Sequence, residues 1–392
     1  MSRTARMATW LPAAAWTYLL VGHGRFWDTA VRLPRSPDPA GWPPVAVVVP
    51  ARDEADLVGR TVATLLRQDY PGEARVVLVD DRSTDGTAAA AEAAAGTAVG
   101  AGHAGRLPLR VVAGSDRPDG WVGKLWALHQ GVEAAASARP APEWVLFTDA
   151  DIAHPPDSLR RLVAAAVADQ RDVVSLMARL RTDTGWERLV VPAFVYFFGL
   201  LYPFRRVARP GRTAAAAGGC LLVRAEALQR AGGVASVSDA VIDDVALARR
   251  VAETGGRLWL GLADDVCSVR PYPRLGDLWR MVSRSAYTQL RHSPALLAAT
   301  VAGLIGLFGA PVGLLTGGLA RRRLGAAAAG AVPCALMTAT YLPTVRYHGL
   351  SPRWALTLPA AAVMYGAMTV DSARRHRTGR GVEWKGRRYV GA

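Results

Sequence analysis

Cysteine is scarce in this chain, and lysine is scarcer. The three cysteines, Cys220, Cys267 and Cys334, stand far apart. An odd, scattered set excludes a disulfide framework and offers no paired metal-binding spacing, so small buried thiols in a reducing compartment are expected. Of the 47 basic residues only Lys124 and Lys385 are lysine, and the 32 acidic residues leave a formal charge of +15. A nucleic-acid binder would interleave basic and aromatic residues on one face. Here the basic residues gather beside apolar runs instead, at Arg205, Arg206 and Arg209, at Arg321 to Arg323, and at Arg374, Arg375 and Arg377. That placement suits anionic lipid headgroups, so a bilayer is expected as a partner and nucleic acid is not. Internal repeats are also lacking.

Apolar residues are abundant, at 51%, and unevenly spread. They concentrate near the N-terminus, around 189–204, and after Pro294. Residues 1–32 are expected to hold an uncleaved membrane anchor built on 8–22, because no clear small-residue cleavage site follows and Trp10, Pro12 and Trp16 are unlike a signal peptide. Residues 33–44 form a Pro-rich linker. The stretch 189–204 falls short of the ~20 residues a span requires and carries Pro192 and Pro203. It reads either as an interfacial helix on the bilayer or as a buried core helix. Residues 293–372 form the expected C-terminal transmembrane region, with apolar segments at 295–320, 324–343 and 354–370, before a basic tail at 373–392. The first segment contains Gly309-Ala310-Pro311 at its middle and is either one span or a re-entrant hairpin. The positive-inside rule favours both arginine clusters on the cytoplasmic side.

Between these apolar regions the pattern changes. Val45 to Val49 is a β-branched run suited to a buried parallel strand. Leu57, Val58, Val62, Leu65 and Leu66 then recur at helical spacing. Strands follow at Arg75 to Val79, Leu109 to Val112 and Trp144 to Thr148, with helices at Thr84–Gly96 and Lys124–Ala136 between them. This alternation predicts a doubly wound α/β domain with a mostly parallel sheet over 45–292, divided into a nucleotide-binding half (45–153) and an acceptor half (154–292). Ligands of such sheets bind beyond the carboxyl ends of the strands.

The chemistry-bearing residues lie at those ends. Asp149 and Asp151, two positions apart after an apolar strand, can share a hard divalent cation such as Mg2+ or Mn2+ and bridge it to a diphosphate. Asp80 and Asp81 end the second strand and can accept hydrogen bonds from a base or ribose. Pro50-Ala51-Arg52-Asp53-Glu54 ends the first. Lys124 opens a helix after glycines, where an ammonium and backbone N–H groups suit phosphate. Four such loops at successive strand ends are hard to explain as four unrelated caps. Downstream, Asp243 and Asp244 begin a helical pattern and serve either as an acidic helix start or as a general base. Arg280, Arg284 and Arg291 form a basic segment that either clamps diphosphate or meets lipid headgroups.

In order, PARDE, VDDRSTDGT, GWVGKLWAL, TDADI, AAGGCLLVRAEALQRAGG and IDDVALARRV resemble the inverting family 2 glycosyltransferases of GT-A fold over about 45–292. The GWVGK, TDADI and IDD segments, with RSAYTQLR ahead of three apolar stretches, look most like the hopene-associated glycosyltransferase subgroup of bacterial hopanoid biosynthesis. The resemblance implies a GT-A nucleotide-diphospho-sugar transferase fold with membrane helices at both ends, set in the bacterial inner membrane with the catalytic domain cytoplasmic. Pro50, Ala51, Glu54, Asp80, Asp81, Lys124 and Asp149 would bind the nucleotide sugar, and Asp149 and Asp151 the metal. Asp244 would be the base, beside Asp243 where a glutamate is common. Gly218, Gly219 and Arg284 would face the acceptor or the diphosphate. Asp53 stands where many members have asparagine. The Gln-x-x-Arg-Trp motif of processive synthases is not intact, which favours one transfer to one acceptor, and the resemblance implies a lipid acceptor. The rival expectations are a polyprenyl-phosphate or polysaccharide glycosyltransferase, a nucleotidyltransferase, and a non-catalytic membrane-associated nucleotide-binding scaffold.

Overall fold

Val45–Ala51 is buried at all seven positions. A strand covered by helices on both faces has no solvent side and needs no polar alternation. In the computed structural model, which describes residues 9–100, 107–209, 211, 213–379, 382–385 and 387–389, this strand is β1. Residues 1–8 of the expected N-terminal anchor, and 380, 381, 386 and 390–392 of the expected tail, lie outside the described residues. The chain divides into two compact units, an α/β unit (Val31–Arg181, Arg206–Pro271, Glu383–Ala392) and an apolar helical unit (Met1–Ala30, Thr182–Arg205, Tyr272–Val382).

In the α/β unit, β2 (Ala74–Asp80), β3 (Leu109–Ala113) and β4 (Trp144–Phe147) join β1 in parallel. With β5 (Ile152–Ala153), β6 (Val173–Arg179), β7 (Leu221–Arg224) and β8 (Leu258–Ser268) the sheet has eight strands, in the order β3-β2-β1-β4-β7-β6-β8-β5. The second half is mixed rather than doubly wound. β7 runs antiparallel to both β4 and β6, and β5 antiparallel to β8, while β6 and β8 are parallel. The reason lies in the connections: no crossover helix of the α/β unit leads from β6 into β7, because the chain passes through the apolar unit between Arg181 and Arg206.

Two helix layers cover the sheet. Val58, Val62, Leu65 and Leu66 of helix Ala55–Leu66, with Leu159, Leu162 and Val163 of helix Ser158–Ala168, pack on Val45, Val47 and Val49. The opposite face, with Ala46, Val77 and Val79, receives Ala127 and Ala135 of helix Gly123–Ala136. That helix lies so close that a Cβ at Gly131 would stand 2.4 Å from Val48 Cγ1. The close approach holds Lys124, at the helix start, over the end of the sheet.

Among the described residues three helices are long and apolar enough to cross a membrane. They are Gly185–Val207, Pro294–Ala320 and Leu324–Tyr347, with 61%, 11% and 39% of their apolar windows buried. Helix Leu11–Val21 is shorter. Gly309-Ala310-Pro311 makes no hairpin: the chain stays helical from Pro294 to Ala320 through a π turn at Ile305–Gly309. Such a turn can absorb the lost proline N–H without breaking the helix. The stretch around 189–204 lies largely in helix Gly185–Leu201 and packs on neighbouring helices. Tyr196 meets Thr340 Oγ1 at 2.8 Å, Tyr365 donates to the Val190 carbonyl at 3.0 Å, and Phe197 packs on Phe308 and Tyr365. Helices Ala310–Ala320 and Leu324–Tyr347 touch through small residues. A Cβ on Gly318 would be 2.4 Å from Ala327 N, and one on Gly330 2.4 Å from Leu315 N.

Candidate active site

Strand direction gathers the site. β1, β2 and β4 all run toward one edge, with Ala51 level with Asp80 and Val48 level with Phe147. Because β7 is antiparallel, Leu221 pairs with Phe147, and its entry loop carrying Gly218 and Gly219 meets the β4 exit loop carrying Asp149 and Asp151. β8 shares the direction of β6, and its last residue, Ser268, pairs with Ile152 of β5. Arg270, two residues further on, therefore arrives at the same edge.

Lys124 is the hub of one cluster. Its Nζ lies 2.9 Å from Asp149 Oδ1 and 2.9 Å from Asp243 Oδ2. Asp244 Oδ2 accepts from Gly218 N at 2.7 Å and Oδ1 from Val245 N at 2.7 Å. A Cβ on Gly218 would stand 3.2 Å from Lys124 Nζ and 3.4 Å from Asp244 Oδ2, so this close approach favours glycine. Burial opposes the charge of Lys124, but Asp149, Asp243 and Asp244 outweigh it and hold the ammonium well above its usual range. Burial and then Asp243 push the Asp244 carboxyl up to about 6, against Lys124 and the two N–H donors. Asp149 is also raised, by burial and by Asp151 and Asp243, with Lys124 opposing.

A second cluster starts at Asp151. Its Oδ2 receives Arg270 Nε at 2.7 Å, and the same guanidinium reaches both Glu54 oxygens at 2.6 Å. The loops after β1 and β2 are laced together. Asp53 Oδ1 accepts from Thr84 N at 2.9 Å, Glu54 N donates to Thr87 Oγ1 at 2.8 Å, and Asp85 Oδ2 accepts from Ala55 N at 2.9 Å. Asp80 holds the Ser83 hydroxyl and N–H, while Asp81 is fully buried with its carbonyl on Arg52. Pro50 lines a small cavity with Lys124, Asp149, Gly218, Asp243 and Asp244.

The structure thus collects Pro50, Lys124, Asp149, Gly218, Asp243 and Asp244 in one cluster and joins Asp151 to Glu54 in the other. Asp80 and Asp81 stiffen the neighbouring loops. Arg284 lies in the apolar unit, exposed at the end of helix Leu275–Ser283. Sequence reasoning sought the guanidinium among Arg280, Arg284 and Arg291 and missed Arg270. The Leu258–Leu262 run, read as a strand, would have flagged it. It also missed His154, which is buried behind the Asp149 loop. Thr148 Oγ1 donates to the Gly219 carbonyl at 2.8 Å and so accepts from His154 Nε2 at 2.9 Å, which leaves Nδ1 to accept from Ser158. Burial drives this imidazole down to about 4, with Asp265 opposing, so it is neutral and serves to fix Thr148 against Gly219.

The donor set fits a hard divalent cation. Mg2+ takes one or two protein carboxylates and completes its shell with phosphate and water oxygens. Asp149 and Asp151 would supply the carboxylates. Asp149 is raised first by burial and then by the neighbouring Asp151 and Asp243, whose negative charge a cation would relieve. Among the described residues no group of three or more candidate ligands gathers, so substrate oxygens would have to complete the shell.

A mixed α/β sheet with carboxylates, a lysine and an arginine converging beyond its strand ends is where ligands of such sheets bind. The model for "Glycosyl transferase family 2" matches residues 46–232, and that for "Glycosyl transferase family group 2" matches 144–369, more than half of the chain. The protein belongs to glycosyl transferase family group 2. No curated protein matches it in sequence. Among solved structures it is similar in fold to the mannosyltransferase PcManGT from Pyrobaculum calidifontis in complex with GDP-Man and Mn2+. The identity is 23%, the TM-score 0.52, and the match covers 91% of this chain and 99% of that one. S. aureus TarS 1-349 in complex with UDP-GlcNAc matches at 15% identity and TM-score 0.40, covering 88% of this chain and 96% of that one. Glucosyl-3-phosphoglycerate synthase from Mycobacterium tuberculosis, in complex with Mn2+ and UDP-Glc, matches at 16% and 0.39, covering 64% and 78%.

Proposed function

We propose that the protein is a membrane-bound inverting glycosyltransferase that moves a sugar from a nucleotide-sugar donor, UDP-linked in the favoured reading, to a lipid acceptor of hopanoid type. The observation that carries this reading is the cluster of Lys124, Asp149, Asp243 and Asp244 packed around Gly218. It combines a phosphate-suited cation, metal-suited carboxylates and a carboxyl whose affinity for protons matches a base near neutral pH.

The acceptor hydroxyl oxygen bonds to the anomeric carbon as the bond from that carbon to the diphosphate oxygen breaks, which inverts the centre. Asp244 takes the hydroxyl proton. Lys124 and Arg270 supply positive charge toward the departing nucleoside diphosphate, and Asp243 holds Lys124 beside Asp244. A divalent ion at Asp149 and Asp151 would neutralise the diphosphate as a Lewis acid. Pro50, Ala51, Glu54, Asp80 and Asp81 form or brace the nucleotide pocket, and Gly218 and Gly219 give the sugar close access to the backbone. In this reading the catalytic domain of 45–292 sits on the cytoplasmic face of the bacterial inner membrane, and the apolar unit provides several spans. Helix Pro294–Ala320, 27 residues long with 11% of its window buried, supports the presence of a span.

The test uses purified full-length protein with UDP- and GDP-sugars, Mn2+ and membrane lipid, scoring nucleoside diphosphate and glycolipid. Release of nucleoside diphosphate with a glycosylated hopanoid is expected. Pyrophosphate as the product would make it a nucleotidyltransferase, a polyprenyl-phosphate sugar or a polymer would move the acceptor, and no turnover would favour a scaffold.

A further inference from the structure

A chain that uses arginine at all but two of its 47 basic positions places both of its lysines among the site's carboxylates. Lys124 belongs to the machinery already described. Lys385 comes from the other end of the sequence, at the turn between β9 (Val382–Trp384) and β10 (Arg387–Tyr389), beyond the last apolar helix. Its Nζ lies 2.7 Å from Glu54 Oε1 and donates to the Asp53 carbonyl at 2.9 Å, while its own carbonyl accepts from Arg52 Nε at 3.2 Å. Three consecutive residues at the end of β1 therefore hold the turn.

The charge pattern there is unusual. Glu54, with 10% of its side chain exposed, meets two cations at once, Arg270 and Lys385, and Arg270 continues to Asp151. The result is a line of alternating charges, Lys385–Glu54–Arg270–Asp151, that starts on the tail and ends at the carboxylate pair after β4. The line is balanced, two cations to two carboxylates, and Glu54 keeps Arg270 as its partner when Lys385 turns to another anion. A compact ammonium serves as a point charge for phosphate oxygens, and unlike a guanidinium it imposes no planar fork.

We propose that Lys385 is a donor-site residue: the C-terminal tail straps the loop at the end of β1, and its ammonium binds the diphosphate of the nucleotide donor, exchanging Glu54 for a phosphate oxygen. This rests on the donor reading above. It assigns to the tail, which follows the apolar region, a direct part in a site built at the front of the sheet.

Full-length protein in detergent micelles is titrated with UDP and GDP, and with uridine and guanosine, all in Mn2+. Lys385→Ala should weaken the diphosphate bound by the wild type about tenfold, the size of one charge-assisted hydrogen bond, and leave the matching nucleoside unchanged. Lys385→Arg should recover much of the loss. Lys385→Gln keeps an uncharged, shorter side chain with a donor for the Asp53 carbonyl, so it separates charge from tail docking and should still bind diphosphate weakly. Wild-type diphosphate affinity in the Ala and Gln variants would overturn the proposal while leaving the donor reading intact. Equal weakening of nucleoside and diphosphate would reduce Lys385 to a loop support and overturn it too. A wild type that binds neither UDP nor GDP would remove the donor reading, and the proposal with it.

Discussion

Strand β1 and helix Pro294–Ala320 are both almost wholly apolar, yet β1 is buried at all seven of its positions and the helix over 11% of its window. Composition does not separate them; the partner of the apolar surface does. In the α/β unit that partner is protein, and the helices on both faces leave the polar chemistry to collect at one edge of the sheet. In the apolar unit most of that helix's apolar window is not buried among the described residues, and the proposed reading gives it a bilayer, which has the right thickness and polarity. Buried polar groups follow the same division. Many in the apolar unit are met by neutral partners, as with Tyr196 on Thr340 and Trp16 Nε1 on the Leu307 carbonyl at 2.8 Å. Those at the sheet edge converge in clusters of several charged groups, carboxylates gathered around Lys124 and around Arg270, an arrangement typical of functional sites.

The comparison can be broken most sharply at the edge. Asp244→Asn should lower kcat by about 10²–10⁴, the usual contribution of a general base, with donor affinity retained. Turnover close to wild type would remove Asp244 from the chemistry. In the apolar unit Ile305, 63% exposed, is the corresponding probe. Ile305→Arg should cost about 2.5–3.5 kcal/mol of membrane insertion, read as a smaller membrane-integrated fraction. Unchanged insertion would mean that this face does not meet lipid.

Two glycines sharpen the contrast in packing. Gly131→Ala should destabilise the α/β unit by about 1–3 kcal/mol through overpacking against Val48, even though alanine favours helix. Gly303, with nothing within 4 Å of an added Cβ, should tolerate the same change with no loss of melting temperature. The pH dependence is gentler. Asp244 is raised to about 6 and acts as the base only when ionised, so kcat should be flat well above that pH and fall as pH drops through it, approaching about tenfold per unit. A plateau that continues down to pH 4 would argue against an essential carboxylate of raised pKa.

Much of the fold was legible because its signals are local. The Val45–Val49 run, the 3.6-residue pattern of Val58, Val62 and Leu65, and acidic residues just past apolar strands each depend on a few neighbours in the chain. Asp149, Asp151 and Asp244 could be picked out that way. The antiparallel entry of β7 could not, because it depends on the path taken between Arg181 and Arg206. Arg270 was passed over for the same kind of reason: Arg280, Arg284 and Arg291 look more like an anion clamp along the sequence, while only the direction of β8 brings Arg270 to Glu54 and Asp151.

The sequence by itself determined the first four strands, the helices between them and the apolar segments, and which residue types stand at those strand ends, since periodicity and side-chain chemistry are written along the chain. Tertiary structure alone decided who meets whom there. Lys124 between Asp149 and Asp243, His154 behind Thr148, and Lys385 on Glu54 from more than 300 residues away are contacts of strand order and helix docking. Two residues far apart in sequence share an ion pair only after the sheet has fixed the direction of every strand between them.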